Sequence, residues 1–159
     1  IAVNEAQQRK PMSVIRDCFS GNIKNISVAV LGVSFKPNTD DIRDSSAMVL
    51  VQQLLAEEVT VSVFDPAAMD NARRVFSDDK IRYAKESYDA VQDADVVVLM
   101  TEWNLFRELD LARIKTAMKG NLFLDFRGVY APEVLQESGF EGYVIGQTPV
   151  GVASVNVDG

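Results

Sequence analysis

The sequence of 159 residues contains no histidine. Imidazole is the side chain that most readily exchanges a proton near neutral pH, and it is the commonest metal ligand. Its absence excludes an imidazole general base, Ser-His and Cys-His catalytic pairs, and histidine metal sites within this chain. A single cysteine, Cys18, excludes an internal disulfide and a cysteine-built zinc site, and it suits a reducing compartment. Long apolar runs are missing as well. Stretches such as Val96-Val97-Val98-Leu99-Met100 fall far short of the ~20 residues that span a bilayer. Asn4, Glu5 and Gln7 stand where a signal peptide would carry its apolar stretch. No membrane partner is therefore expected, and the expected location is cytoplasmic. Excess positive charge is lacking too: 16 Lys+Arg against 23 Asp+Glu leave a net charge of −7. That balance argues against a nucleic-acid surface and allows only a local basic pocket. The chain opens on Ile1 rather than Met, and we expect it to be part of a longer protein.

What is present is an alternation of strand-like and helix-like segments. Ile26–Leu31, Val59–Phe64, Ile81–Tyr83, Val96–Met100, Asn121–Asp125 and Tyr143–Ile145 are short and β-rich. Their apolar character is continuous rather than alternating, which means burial on both faces, as in a parallel sheet between helices. Helical spacing fills the gaps: a segment capped by Asp44 or Ser45, then 67–76, 87–92, 105–118 and 132–138. Gly120 and Gly139 stand where a left-handed residue would end a helix. Repeated β-α-β units predict a doubly wound, Rossmann-like α/β fold with six parallel strands, helices on both faces and strand order 3-2-1-4-5-6. Residues 1–22 are helix-like, with Pro11 either kinking the helix or starting its second half. Their apolar side has no partner in the predicted sheet, so it is expected to pack on another chain or domain. Residues 23–147 form the α/β unit, and 148–159 read as a flexible tail.

In such a sheet, ligands bind beyond the carboxyl ends of the strands where strand order reverses, here between the first and fourth strands. The loop after the first strand runs Gly32-Val33-Ser34-Phe35-Lys36-Pro37-Asn38-Thr39-Asp40-Asp41-Ile42-Arg43-Asp44. It has one glycine where a dinucleotide fingerprint has three. It offers instead two cations, Lys36 and Arg43, around a turn-forming Pro37-Asn38, and Arg127 follows the fifth strand on the same edge. Three convergent cations suit a nucleotide diphosphate. The alternative is that Lys36 and Arg43 pair with Asp40, Asp41 or Asp44, which composition alone favours. Asp65 ends the second strand where a ribose-binding acid sits in dinucleotide sites, but without the glycine loop an N-cap role is favoured. Trp103 offers a stacking face for a base or, more simply, packs at a helix start. Cys18 is expected to be a buried, inert thiol. Asp40-Asp41 would need a third acid to hold Mg²⁺, and none is evident.

At these residues a resemblance emerges. Leu31-Gly32-Val33-Ser34-Phe35-Lys36-Pro37-Asn38-Thr39-Asp40-Asp41-Ile42-Arg43-Asp44-Ser45 is similar to the loop opening the C-terminal, UDP-binding domain of UDP-glucose 6-dehydrogenases. Thr101-Glu102-Trp103-Asn104-Leu105-Phe106, Asp125-Phe126-Arg127 and Gly139-Phe140 through Tyr143–Gly146 match that domain in the same order. Val3-Asn4-Glu5 followed by Gln8 resembles the end of the helix joining the enzyme's two halves. The resemblance covers residues 1–147. It implies that UDP-glucose is oxidised to UDP-glucuronate with two NAD⁺ reduced, that Phe35, Lys36 and Arg127 contact UDP-glucose, and that Arg43 reaches NAD on the other domain. It turns the choice on the three cations towards ligand contact. It also implies an N-terminal NAD-binding domain carrying the catalytic cysteine, both absent here, and a homodimer through the connecting helix. No catalytic and no metal-binding residue is expected in this chain, which alone should be inactive. The family often has Asp-Gly-Arg where this chain has Asp125-Phe126-Arg127, and phenylalanine narrows the backbone angles open to that turn. Related readings are a GDP-mannose or UDP-N-acetylhexosamine dehydrogenase domain, or a non-catalytic α/β interaction module of receiver type. A receiver would place its acid pair directly after the first strand, whereas Asp40-Asp41 lie well into the loop.

Overall fold

The computed structural model describes residues 11–144. The first ten residues, with Val3-Asn4-Glu5, and the expected tail 148–159 lie outside that range. So does the choice between a kink and a start at Pro11. The chain runs α1 (Pro11–Cys18), β1 (Ser27–Leu31), α2 (Ser46–Ala56), β2 (Thr60–Phe64), α3 (Met69–Val75), β3 (Arg82–Tyr83) and α4 (Ser87–Ala90). It continues through β4 (Val96–Leu99), α5 (Asn104–Arg107), α6 (Leu111–Ala117), β5 (Leu122–Asp125), α7 (Pro132–Glu137) and β6 (Glu141–Val144). The strands form one six-stranded sheet in the order β3-β2-β1-β4-β5-β6, parallel at every pairing. The doubly wound α/β fold with order 3-2-1-4-5-6 is therefore the one observed.

Burial on both faces explains the continuous apolar strands. Successive side chains of a strand point to opposite faces. Val28, Val30, Val61, Val63, Val96, Val98, Leu122 and Leu124 enter one core, beneath α1, α2 and α3. Ala29, Leu31, Val97, Leu99 and Phe123 enter the other, with Ala90 of α4, Phe106 of α5, Ile114 of α6 and Leu135 of α7. In β4 and β5 neither face is left for solvent and every position is buried, whereas β2 alternates, with Thr60 and Ser62 between its apolar residues.

Three departures from expectation have physical causes. The apolar side of residues 11–18 does have a partner in this chain: Met12, Val14 and Ile15 are buried in the first core, with Cys18 and Phe19 against it. Cys18 is accordingly half-buried rather than fully buried. The single helix expected over 105–118 is two. The Tyr130 hydroxyl takes the Leu109 N–H at 3.2 Å and the Tyr88 hydroxyl takes that of Asp110 at 3.0 Å. Both amides are thus withdrawn from a helical ladder, and the Asp110 carboxylate caps a new helix through the Arg113 N–H. Finally, Gly139 has the left-handed φ of +92° expected of it, but Gly120 does not. At Gly120 a Cβ would lie 2.4 Å from the Asp95 carbonyl oxygen, so close backbone approach is the reason for glycine there.

Candidate functional site

The carboxyl ends of β1, β4 and β5 lie side by side, and the loops after them form one edge. Gly32 turns the chain out of β1 at φ +93°, and a Cβ on it would fall 2.5 Å from Thr101 Oγ1 and 2.9 Å from the Thr101 backbone nitrogen. The first and fourth loops are therefore in direct contact. Asn38 takes φ +65° at the Pro37-Asn38 turn, and the Phe35 N–H donates to the Asp41 carbonyl at 2.7 Å, closing the loop on itself. Ser45, not Asp44, caps α2: its hydroxyl accepts from the Met48 N–H and donates to the Val33 carbonyl. The closed loop is thus anchored at both ends and presents Phe35, half exposed at 51%, next to the exposed Lys36.

Asp65 is buried at the end of β2. Its Oδ2 accepts from the Val33 N–H, the Ser34 N–H and the Ser34 hydroxyl, all at 2.9 Å, and its Oδ1 accepts from the N–H groups of Ala67 and Ala68. Five donors occupy the carboxylate. It closes the turn that leads to α3 rather than serving as its N-cap, which is Ala68, and also fixes the first loop, so no acceptor is left for a ribose. A dinucleotide needs open space for its pyrophosphate at the first strand's turn. Here that space is filled by Thr101 against Gly32. These residues do not fit NAD held by this unit.

The cations are distributed along the edge. Arg43 donates through Nε (3.0 Å) and Nη2 (2.9 Å) to the Asp41 carboxylate. The pairing that composition favoured is thus present for Arg43, with Asp41 as partner. The guanidinium and the Arg43 N–H hold the Asp41 carboxyl down at about 2, and the same pairing raises Arg43 further. Arg127 donates through Nε and Nη2 to Glu102 at 3.2 and 3.0 Å. Both pairs use the Nε edge of the guanidinium and leave Nη1 donors for another anion. Lys36 makes no ion pair among the described residues, and its charge also acts on Asp41. An open groove of about 530 Å³ runs between the first loop and α3, with Arg43, Asn71 and Arg74 on its walls. Lys36 and Arg127 are not among its lining residues; they belong to the edge above β1, β4 and β5.

Asp125, fully buried at the end of β5, explains how Arg127 is aimed without a glycine at 126. Its carboxylate accepts from the N–H groups of Arg127 (3.0 Å) and Tyr130 (2.8 Å) and so shapes the turn. Burial nevertheless pushes its pKa up against those hydrogen bonds. Phe126 packs into the first core, and the left-handed residue of the turn is Gly128 at φ +68°. Trp103 sits at the cap position of α5 and packs on the second core, as a helix-start aromatic does. Among the described residues no three Cys, Asp or Glu side chains are placed to hold a metal ion, Asp40-Asp41 included. Asp41 was among the acids the sequence offered to Arg43, but Glu102, the partner of Arg127, was not singled out from sequence. The strand order supplies the signal: an acid after β4 faces a base after β5.

The family model described as the UDP-glucose/GDP-mannose dehydrogenase family, UDP binding domain, matches residues 29–132. The chain belongs to this family. It is 39% identical over 147 residues to a UDP-glucose 6-dehydrogenase of Rhizobium meliloti, covering 92% of this chain and 33% of that protein. Among solved structures, a UDP-glucose dehydrogenase of Pyrobaculum islandicum superposes with a TM-score of 0.71 at 26% identity, over 92% of this chain and 31% of the other. A UDP-D-ManNAc dehydrogenase of Pyrococcus horikoshii shares the fold, with a TM-score of 0.64 at 23% identity, over 85% of this chain and 29% of that one. The chain spans about a third of the length of the curated relatives it matches. Among the described residues no helix is long and apolar enough to cross a membrane.

Proposed function

We propose that this chain is the substrate-binding part of an NAD-dependent UDP-glucose 6-dehydrogenase, which oxidises UDP-glucose to UDP-glucuronate with reduction of two NAD⁺. The observation that carries the proposal is the shared edge at the strand-order reversal, where Lys36 and Arg127 stand on the two loops that flank the one after β4 in a UDP-binding family member. Lys36 supplies a point charge to the diphosphate, and Arg127 offers its Nη1 donors while Glu102 holds its other edge. Phe35 gives the nucleotide sugar an apolar surface. Arg43, held by Asp41, reaches towards NAD bound by a preceding domain that also brings the catalytic cysteine. Residues 1–22 are then the end of the interdomain helix, through which the enzyme dimerises, and 23–147 the UDP-sugar unit of a cytoplasmic enzyme.

Calorimetric titration of the complete enzyme with UDP-glucose, a UDP-N-acetylhexosamine and GDP-mannose tests the assignment. UDP-glucose should bind tightest, and Lys36→Ala or Arg127→Ala should each weaken it by about 10- to 100-fold, corresponding to about 1.5–3 kcal/mol for a charge-assisted hydrogen bond. Tightest binding of GDP-mannose or of the acetylated sugar would move the chain to the second reading that the family description admits. Unchanged affinity in both variants would refute the site. Residues 1–159 alone should yield no NADH from UDP-glucose.

A further inference from the structure

Ser34 lies beneath the proposed site, buried, and each of its polar groups bonds to another loop. Its N–H and hydroxyl donate to Asp65 after β2. The same hydroxyl accepts from Trp103 Nε1 at 3.1 Å, and its carbonyl accepts from Thr101 Oγ1 at 3.1 Å, both after β4. The segment Thr101-Glu102-Trp103 is thereby divided between two neighbours. Residues 101 and 103 bond to Ser34, while Glu102 between them holds Arg127 after β5. One residue beyond Ser34, the Phe35 N–H closes the loop on Asp41, and Lys36 follows.

We infer that Ser34 is a positioning residue, the joint through which 101–103 act as a crossbar fixing Lys36 and Arg127 relative to one another. It touches neither cation and acts only through the loops it ties. The inference rests on the proposed UDP-sugar site for its functional consequence, but the mechanical coupling stands apart from any ligand. A buried hydroxyl that donates and accepts at once leaves unsatisfied partners at both ends when removed. Truncation should therefore loosen the crossbar as well as its own loop.

The test uses Ser34→Ala and Trp103→Phe, which cut the same hydrogen bond from its two ends, the double variant, and Ile23→Val as a core truncation at the opposite edge of the sheet. In the unliganded protein, amide exchange at both Phe35 and Arg127 should quicken about tenfold or more in Ser34→Ala, and not in Ile23→Val. Trp103 is the single tryptophan, so its emission should shift in Ser34→Ala with no other contribution to the signal. With UDP as probe, each single variant should bind about tenfold more weakly. The double variant should be no weaker than Ser34→Ala, since the bond that Trp103→Phe removes is already lost there. Exchange at Arg127 unchanged in Ser34→Ala, or losses that multiply in the double variant, would overturn the inference and leave the proposed function standing. Failure of the wild-type protein to bind UDP would overturn the proposed function, while the exchange measurement would still decide the coupling.

Discussion

Replacing Gly32 with alanine isolates the contact on which the whole edge is built. Two costs add. At φ +93° an L-residue lies in the left-handed region, a strain of about 1–2 kcal/mol. The new Cβ would also lie 2.5 Å from Thr101 Oγ1, 2.6 Å from Thr101 Cβ and 2.9 Å from the Thr101 nitrogen. Because backbone as well as side chain must yield, we assign overpacking another 1–3 kcal/mol or so. The sum, about 2–5 kcal/mol, is a large part of the roughly 5–15 kcal/mol that holds a domain folded. For a chain of this size it should lower Tm by about 4–20 °C. Gly21→Ala supplies the control, since Gly21 has φ +83° but nothing within 4 Å of the added Cβ. It should show the strain alone. Urea unfolding of the two variants beside the wild type reads the difference as a shift in midpoint at constant slope. If Gly32→Ala were no less stable than Gly21→Ala, the close approach of the first and fourth loops would be wrong, and with it the crossbar.

Asp41 should titrate near 2 by carboxyl-carbon NMR, and Arg43→Ala should return it towards 3.8, since the Arg43 hydrogen bond is the chief cause of the depression. Because the folded pKa is lowered, the group's contribution is complete above 3.8 and lost as pH falls through about 2, and salt should weaken it. Tyr130→Phe removes the hydroxyl that accepts from the Leu109 N–H and donates to the Phe106 carbonyl between α5 and α6. It should cost about 1–2 kcal/mol, read as a fall in urea midpoint. In the wild type, burial pushes the Tyr130 phenol up to about 12, so its phenolate signal should reach its midpoint only near that pH.

The parallel sheet was legible in the chain because each strand carries its own signature. Val28–Leu31 and Val96–Leu99 are apolar at every position, and only burial on both faces calls for that. The strand order then brings Lys36 and Arg127 to one edge, since β1, β4 and β5 are neighbours. Helix extents were less legible. The apolar spacing of 105–118 continues across a break made by Tyr88 and Tyr130, whose hydroxyls arrive from other elements. The partners in the site were less legible again, because Glu102 and Arg127 are 25 residues apart and Asp65 and Ser34 are 31 apart.

The division has a physical basis. Residue spacing, caps and turns report interactions within a few residues along the chain, and these set the strands, the helices and the loops that carry charge. Which side chain meets which across those loops depends on the crossovers that bring distant segments together. Tertiary structure alone decided that Arg127 is held by Glu102, that Asp65 is filled by five donors, and that Gly120 is required by a carbonyl rather than by a turn. The sequence by itself determined the α/β class, the strand order and the residues offered to the edge. The fold determined how they are aimed.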